Sequence, residues 1–276
     1  MDALNYLRSL GGVARTATLL RAGATKREVA ALAGLGTRPA RGIVALPGCN
    51  PDYLFALVHN GVLTCGSAAT SHGLWIREAP PRRHLAVAHS RVTAFTAHRI
   101  LRFPTHDVLP IASIEDTVLH ALNCLPLSEA VSMAESAIRA GKVHRALLED
   151  MVHAPRSARA RHALSLVTAA AESQPEVEAR LLFVARGWRV EAQARIPGVG
   201  RVDLLIEGLV IVEIDGHAFH ADRAAFVEDR RRQNEALRQG YPTLRYPPEV
   251  VWRDPDRLLR DVEELLRSWG RLPFRP

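Results

Sequence analysis

The stretch from Arg201 to Asp215 constrains the fold most. Two apolar runs, residues 201–206 and 209–215, are separated only by Glu207-Gly208. A two-residue link between such runs predicts a β-hairpin. Strand alternation then puts Ile211, Glu213 and Asp215 on one face and Val210, Val212 and Ile214 on the other. Asp203, in the first strand, falls opposite position 212 or 213. Three carboxylates, Asp203, Glu213 and Asp215, are therefore expected to converge within a few ångströms. Acids closing an otherwise apolar strand are costly unless a cation pairs with them. Their mutual repulsion raises their pKa values unless a divalent ion sits between them. All-oxygen donors of this kind suit Mg²⁺ or Mn²⁺.

The surrounding pattern alternates helix and strand after the boundary signal Ser173-Gln174-Pro175. A helix is expected over residues 175–186 and a strand over 188–194. A turn follows at 197–200, then the hairpin, a long helix over 222–239, a strand over 243–246 and a last helix over 256–269. Glu178 lies in line with Leu181, Leu182 and Ala185, so it points toward the core side, where it either joins the acids or serves as a partner of the helix N-terminal dipole. Gly216 permits a sharp exit from the second hairpin strand. Beyond it, His217 or His220 could assist protonation of a leaving group near neutral pH. Arg230, Arg231 and Arg232 span a full arc of the long helix, so at least one faces the sheet and could hold a phosphate or a carboxylate.

The first part of the chain reads differently. Residues 1–170 carry 19 Lys+Arg against 11 Asp+Glu, or +8, and residues 171–276 carry 17 against 18, or −1, which sum to the net +7. A basic excess confined to one part suits a polyanion, most commonly nucleic acid. Residues 1–48 read as helix, helix (residues 14–21), tight turn at Gly23-Ala24-Thr25, a third helix capped by Thr25 and Glu28, and a two-stranded ribbon over 38–46. That order is the winged helix-turn-helix order, with Lys26 and Arg27 placed at base edges and Arg38 and Arg41 placed near phosphate. The section over residues 49–172 is expected to be mixed. It has a short helix over 67–75, strands at 85–88 and 99–103, a helix capped by Ser113, and further helices at 128–140, 143–152 and 157–171. Cys49, Cys65 and Cys124 are odd in number and far apart, which fits neither a disulfide framework nor a zinc cluster. His59, His72, His84, His89, His98 and His106 show no metal-ligand spacing on one element and read as surface or core-edge residues. No run approaches a membrane span, and Met1-Asp2-Ala3-Leu4-Asn5 is no leader, so a cytoplasmic protein is expected.

The strings Glu178-Ala179-Arg180-Leu181, Gly200-Arg201-Val202-Asp203-Leu204-Leu205, Val212-Glu213-Ile214-Asp215-Gly216 through His220, Asp229-Arg230 with Arg232, and Gly240-Tyr241-Pro242-Thr243-Leu244-Arg245 resemble the PD-(D/E)XK, or restriction-endonuclease-like, superfamily. The match is closest to the branch of very-short-patch-repair endonucleases and covers roughly residues 173–268. Residues 1–165 resemble AbiEi-type antitoxins of bacterial type IV toxin–antitoxin systems, through the residue 1–48 pattern, Ser67-Ala68-Ala69 to Gly73-Leu74, and Ile114-Glu115-Asp116-Thr117.

These resemblances imply an α/β fold: a C-terminal restriction-endonuclease-like mixed sheet flanked by helices, over residues 173–276. It would follow an N-terminal α+β winged helix-turn-helix region and the mixed section. They also imply that Asp203 and Glu213 hold the metal and that Glu178 is the acid of the first helix. Asp215 stands where the superfamily usually has lysine, and residues 171–276 contain no lysine. The repair branch also lacks that lysine. Positive charge would then come from Arg230, Arg232 or His220, and water activation from the metal itself. Two functions compete, beside a third, an RNA-directed nuclease, against which the winged helix favours duplex DNA. One is a Mg²⁺-dependent endonuclease on double-stranded DNA, guided by the winged helix. The other is an antitoxin-like repressor, partnered by a toxin protein, whose nuclease-like domain is inert.

Overall fold

The structure, a computed structural model, describes residues 2–89, 93–99, 101–153, 157–216 and 223–270. The chain is mixed α/β and divides into two compact units, Met1–Ser165 and Leu166–Pro276. Residues 1–48 and most of the section after them lie in the first of these units. Among the described residues no helix is long and apolar enough to cross a membrane.

The first unit opens with α1 (Ala3–Ser9), β1 (Val13–Arg15), α2 (Thr16–Arg21), α3 (Lys26–Leu35) and β2 (Ile43–Ala45). Leu7, Leu19, Leu32 and Val44 close its core. The capping box is present: Thr25 Oγ1 accepts from Glu28 N at 3.2 Å, and Thr25 N donates to Glu28 Oε2 at 2.7 Å. Two expectations are corrected. Residues 13–15 are a strand, not the start of a helix. That strand pairs antiparallel with β2, and only an isolated bridge joins Thr37 to Ala45, so residues 38–46 do not form a two-stranded ribbon by themselves. Gly36 sits against that bridge. A Cβ there would lie 2.1 Å from the Ala45 carbonyl oxygen, so only glycine lets the chains approach.

The unit continues with α4 (Pro51–Val58), β3 (Val62–Leu63), two 3₁₀ turns (Cys65–Ala68 and Thr70–His72), β4 (His84–Ala86), β5 (Thr96–His98), α5 (Ile114–Cys124), α6 (Leu127–Arg139), α7 (Arg145–Met151) and α8 (Ala158–Ser165). Two 3₁₀ turns stand where one helix is expected over 67–75; the strand expected at 85–88 runs over 84–86, and the one expected at 99–103 is not formed, β5 lying wholly before it at 96–98. β3, β4 and β5 form one small sheet. Ser113 caps α5, and the buried Asp116 carboxylate accepts from Arg102 N at 3.0 Å and Phe103 N at 2.9 Å, tying that loop to the helix. Two of the histidines and two of the cysteines of this region are not scattered. Cys65, His84, His98 and Cys124 come together, contrary to their reading as isolated groups.

The second unit contains α9 (Gln174–Ala185), β6 (Val190–Ile196), β7 (Gly200–Ile206), β8 (Val210–Ile214), α10 (Arg223–Arg238), β9 (Thr243–Tyr246), α11 (Pro248–Arg253) and α12 (Pro255–Trp269). Its sheet runs β6-β7-β8-β9, antiparallel except for the β8–β9 pair, so it is mixed. Glu207 and Gly208 both adopt positive φ, +53° and +65°, as a tight hairpin link demands. One apolar core packs Val210, Val212 and Ile214 with Phe183 of α9 and Leu258 of α12. A second packs Ile211 and Val202 with Ala236 of α10. Helices thus contribute to two separate cores around the sheet, and Glu213, two residues from Ile211, shares the α10 side.

Candidate functional site

The hairpin register pairs Leu204 with Val212 and Ile206 with Val210, so one step further Asp203 stands opposite Glu213. There the ladder changes character. The Asp203 carboxylate accepts the Ile214 N–H at 2.9 Å, and Asp203 N donates to the Glu213 carboxylate at 3.2 Å. Side-chain oxygens thus replace the main-chain acceptors that would have continued the hairpin. Two acids are thereby locked side by side in a half-buried setting.

The electrostatic cost is visible in the acids themselves. Burial, and then the neighbouring Asp203, push the Glu213 carboxyl up to about 8. Asp215 is also raised, by burial first, with Arg245 pulling it down and Asp203 and Asp229 pushing it up. Arg232 reaches over from α10 to 3.8 Å from Glu213 while donating to the carbonyls of Val199 (2.8 Å) and Arg201. Gly200, at φ +106°, leaves room for that guanidinium, since a Cβ there would lie 3.3 Å from Arg232 Nε.

Several expected residues are placed otherwise. Asp203, Glu213 and Asp215 do not bring one carboxylate oxygen each to within 4.8 Å of one another. Among the described residues only the Cys65, His84, His98 and Cys124 set does so. Asp215 lies just past the end of β8, with Arg245 3.8 Å away. Glu178 is buried and accepts from Gln174 at 2.8 Å on its own helix. Glu176, also on α9, is linked to Asp203 through Gln193 of β6, whose Nε2 donates to Glu176 at 2.9 Å and to Asp203 at 3.2 Å. Burial first, and Asp203 further, raise the Glu176 carboxyl. Arg230 stacks on exposed Phe226 at 5.0 Å, donates to Gln233 at 2.7 Å and lies 3.9 Å from the Asp229 carboxylate rather than beside Asp203 or Glu213. His217 and His220 lie outside the described residues.

Three residues without an expected role complete the site. Gln193 bridges two acids from a left-handed backbone, φ +54°, in the middle of β6. Its Oε1 is buried with no hydrogen-bond partner among the described residues. Arg245 of β9, opposite Glu213 in the ladder, forms a two-pronged ion pair with Asp229 of α10. The Ser173-x-x-Glu176 spacing and the acid Asp229 one turn before Gln233 were the available signals for these positions.

The arrangement offers two adjacent hard oxygen donors, a third acid held by an arginine, and an amide that orients the cluster. Such a set can hold a divalent cation, with Arg232 able to meet an anionic ligand. In the first unit Lys26 and Arg27 start α3, and Arg38 and Arg41 lie in the loop before β2; all four are exposed. No family model and no curated protein matches the chain.

Proposed function

We propose that the chain is a DNA-binding protein whose second unit hydrolyses phosphodiester bonds with a divalent metal, of the PD-(D/E)XK kind. The observation that carries this reading is the Asp203–Glu213 pair, set across neighbouring strands with the Glu213 carboxyl pushed up to about 8. The order of the sheet, β6-β7-β8-β9 with a parallel last pair and helices packed around it, supports the same reading. Asp203 and Glu213 would hold Mg²⁺ or Mn²⁺. A bound ion of this type supplies a nucleophile from water and neutralises charge on a phosphate. Gln193 keeps the Asp203 oxygen oriented, Arg232 meets the phosphate, and Arg245 holds Asp215 at the rim. For the first unit we propose the winged helix-turn-helix reading, with α3 as the recognition helix and Arg38 and Arg41 on the wing. The helix, strand, helix, helix, strand order and the exposure of all four cations support it.

The test is cleavage of supercoiled, mismatched and branched DNA by the full chain with Mg²⁺, with Mn²⁺ or with a chelator, beside Glu213→Gln. We expect metal-dependent nicking that falls at least about a hundredfold in the variant. Absence of cleavage on every substrate with both metals overturns the catalytic reading. The repressor reading would then stand, and one observation favours it. Arg232 and Arg245 lie 3.8 Å from Glu213 and Asp215, so arginines already offset part of the charge a metal would neutralise.

A further inference from the structure

The first unit holds a cluster unrelated to the acids of the second. Cys65 opens the 3₁₀ turn after β3, His84 is the first residue of β4, His98 the last of β5, and Cys124 the last of α5. One ligand atom from each lies within 4.8 Å of the other three. His98 Nε2 is 3.2 Å from His84 Nδ1, and Cys124 Sγ is 3.8 Å from the same nitrogen. With zinc–nitrogen bonds of about 2.0–2.1 Å and zinc–sulfur bonds of about 2.3 Å, tetrahedral edges are about 3.3 Å between nitrogens and about 3.6 Å between nitrogen and sulfur. The two separations are those of a tetrahedron around one ion.

We propose that Cys65, His84, His98 and Cys124 form a structural Zn²⁺ site that clips the small sheet to α5. The donor set, two sulfurs and two imidazoles, selects Zn²⁺ over the Mg²⁺ and Mn²⁺ favoured by carboxylates. Both thiols lose their protons on binding, so two protons leave as the ion enters. The site is closed: Cys65 and His84 are buried, and the protein supplies all four ligands, which marks a structural rather than a catalytic zinc. His120, one turn before Cys124 on α5, stacks on His98 with ring centroids 4.4 Å apart and bonds Thr64 Oγ1 at 2.7 Å. It is a positioning residue that fixes the His98 ring. The fold gives such an ion a task. β3, β4 and β5 are two or three residues long, which is short for a sheet that must hold its own register. Cys65 also takes a left-handed backbone, φ +53°, that a fixed sulfur would hold in place.

The experiment is elemental analysis of the full-length protein, purified without chelator, followed by exchange into Co²⁺. We expect about one zinc per chain. The cobalt form should show intense visible bands of a tetrahedral site and a thiolate-to-metal charge-transfer band in the near ultraviolet. Cys124→Ser and His98→Gln should each lose stoichiometric zinc, whereas Glu213→Gln should keep it. The charge-transfer band separates this site from cobalt bound to carboxylates, and it is read on the wild type whether or not the variants fold. Protein from zinc-replete cells with no bound metal and no such band overturns the proposal. So does recovery of Cys65 and Cys124 as a disulfide or as freely reactive thiols in the native protein.

Discussion

Gln193 sits in mid-strand with a φ of +54°, a conformation that costs a non-glycine residue about 1–3 kcal/mol. In return its single amide nitrogen holds Glu176 and Asp203 together. If that clamp orients metal ligands, Gln193→Ala weakens Mn²⁺ binding by about 10–100-fold in titration calorimetry while the circular dichroism spectrum is unchanged. An unaltered affinity would remove Gln193 from the site. Glu213 makes a pH prediction. Its carboxyl moves from 4.5 up to about 8 on folding, so between those values the native chain holds a proton that the unfolded chain releases. Stability from this group is therefore complete below about 4.5 and lost as pH rises through about 8. In metal-free buffer the melting temperature of the wild type should fall, relative to Glu213→Gln, as pH rises across that window, and Mn²⁺ should restore it at the alkaline end. Parallel curves for the two proteins would count against a buried, protonated Glu213. At this scale strand alternation and a short turn dictate where Asp203 and Glu213 point, whereas the helical arc Arg230–Arg232 left open which arginine faces the sheet. The sequence could not separate Glu176 from Glu178. Both lie near the start of α9, Glu176 in its first turn and Glu178 two residues on, both are buried, and the choice depends on Gln193 across the gap. A mid-strand left-handed residue has no signature in a sequence read by period.

Among the elements, those with many periodic positions were legible and the short ones were not. The hairpin, α9, α10, β9 and α12 fall within a residue or two of their expected bounds, since each spans several repeats of its own period. β1 and β3 have three and two residues, too few to show alternation, and α11 runs for only six. The four groups Cys65, His84, His98 and Cys124 come from four different elements, so no local spacing could announce them. For α3 the legible signal was the cap. Thr25→Ala removes both Thr25 side-chain bonds to Glu28 and should cost that helix about 1 kcal/mol, read as faster amide exchange in its first turn. Unchanged protection there would mean that packing through Val29 and Leu32, not the cap, sets the helix start.

Across the whole molecule, charge and chemistry divide along the same line. The basic excess lies in residues 1–170, while the candidate metal-binding acids lie in the second unit. Binding to DNA should therefore depend on salt mainly through the first unit, with Arg232 the second unit's proposed phosphate contact. Removing Arg38 or Arg41 should lower the slope of log affinity against log salt by about one each, and Glu213→Gln should leave that slope unchanged. A slope unaltered by removing Arg38 and Arg41 would instead take the wing off the phosphate backbone. The same division leaves the second unit with neither lysine nor cysteine, since Lys26, Lys142 and all three thiols precede residue 166. Amine-directed acylation or thiol labelling thus touches only the first unit. A single cysteine introduced on an exposed face of α10 would report on the acid-bearing half through a reagent for which that half has no competing side chain.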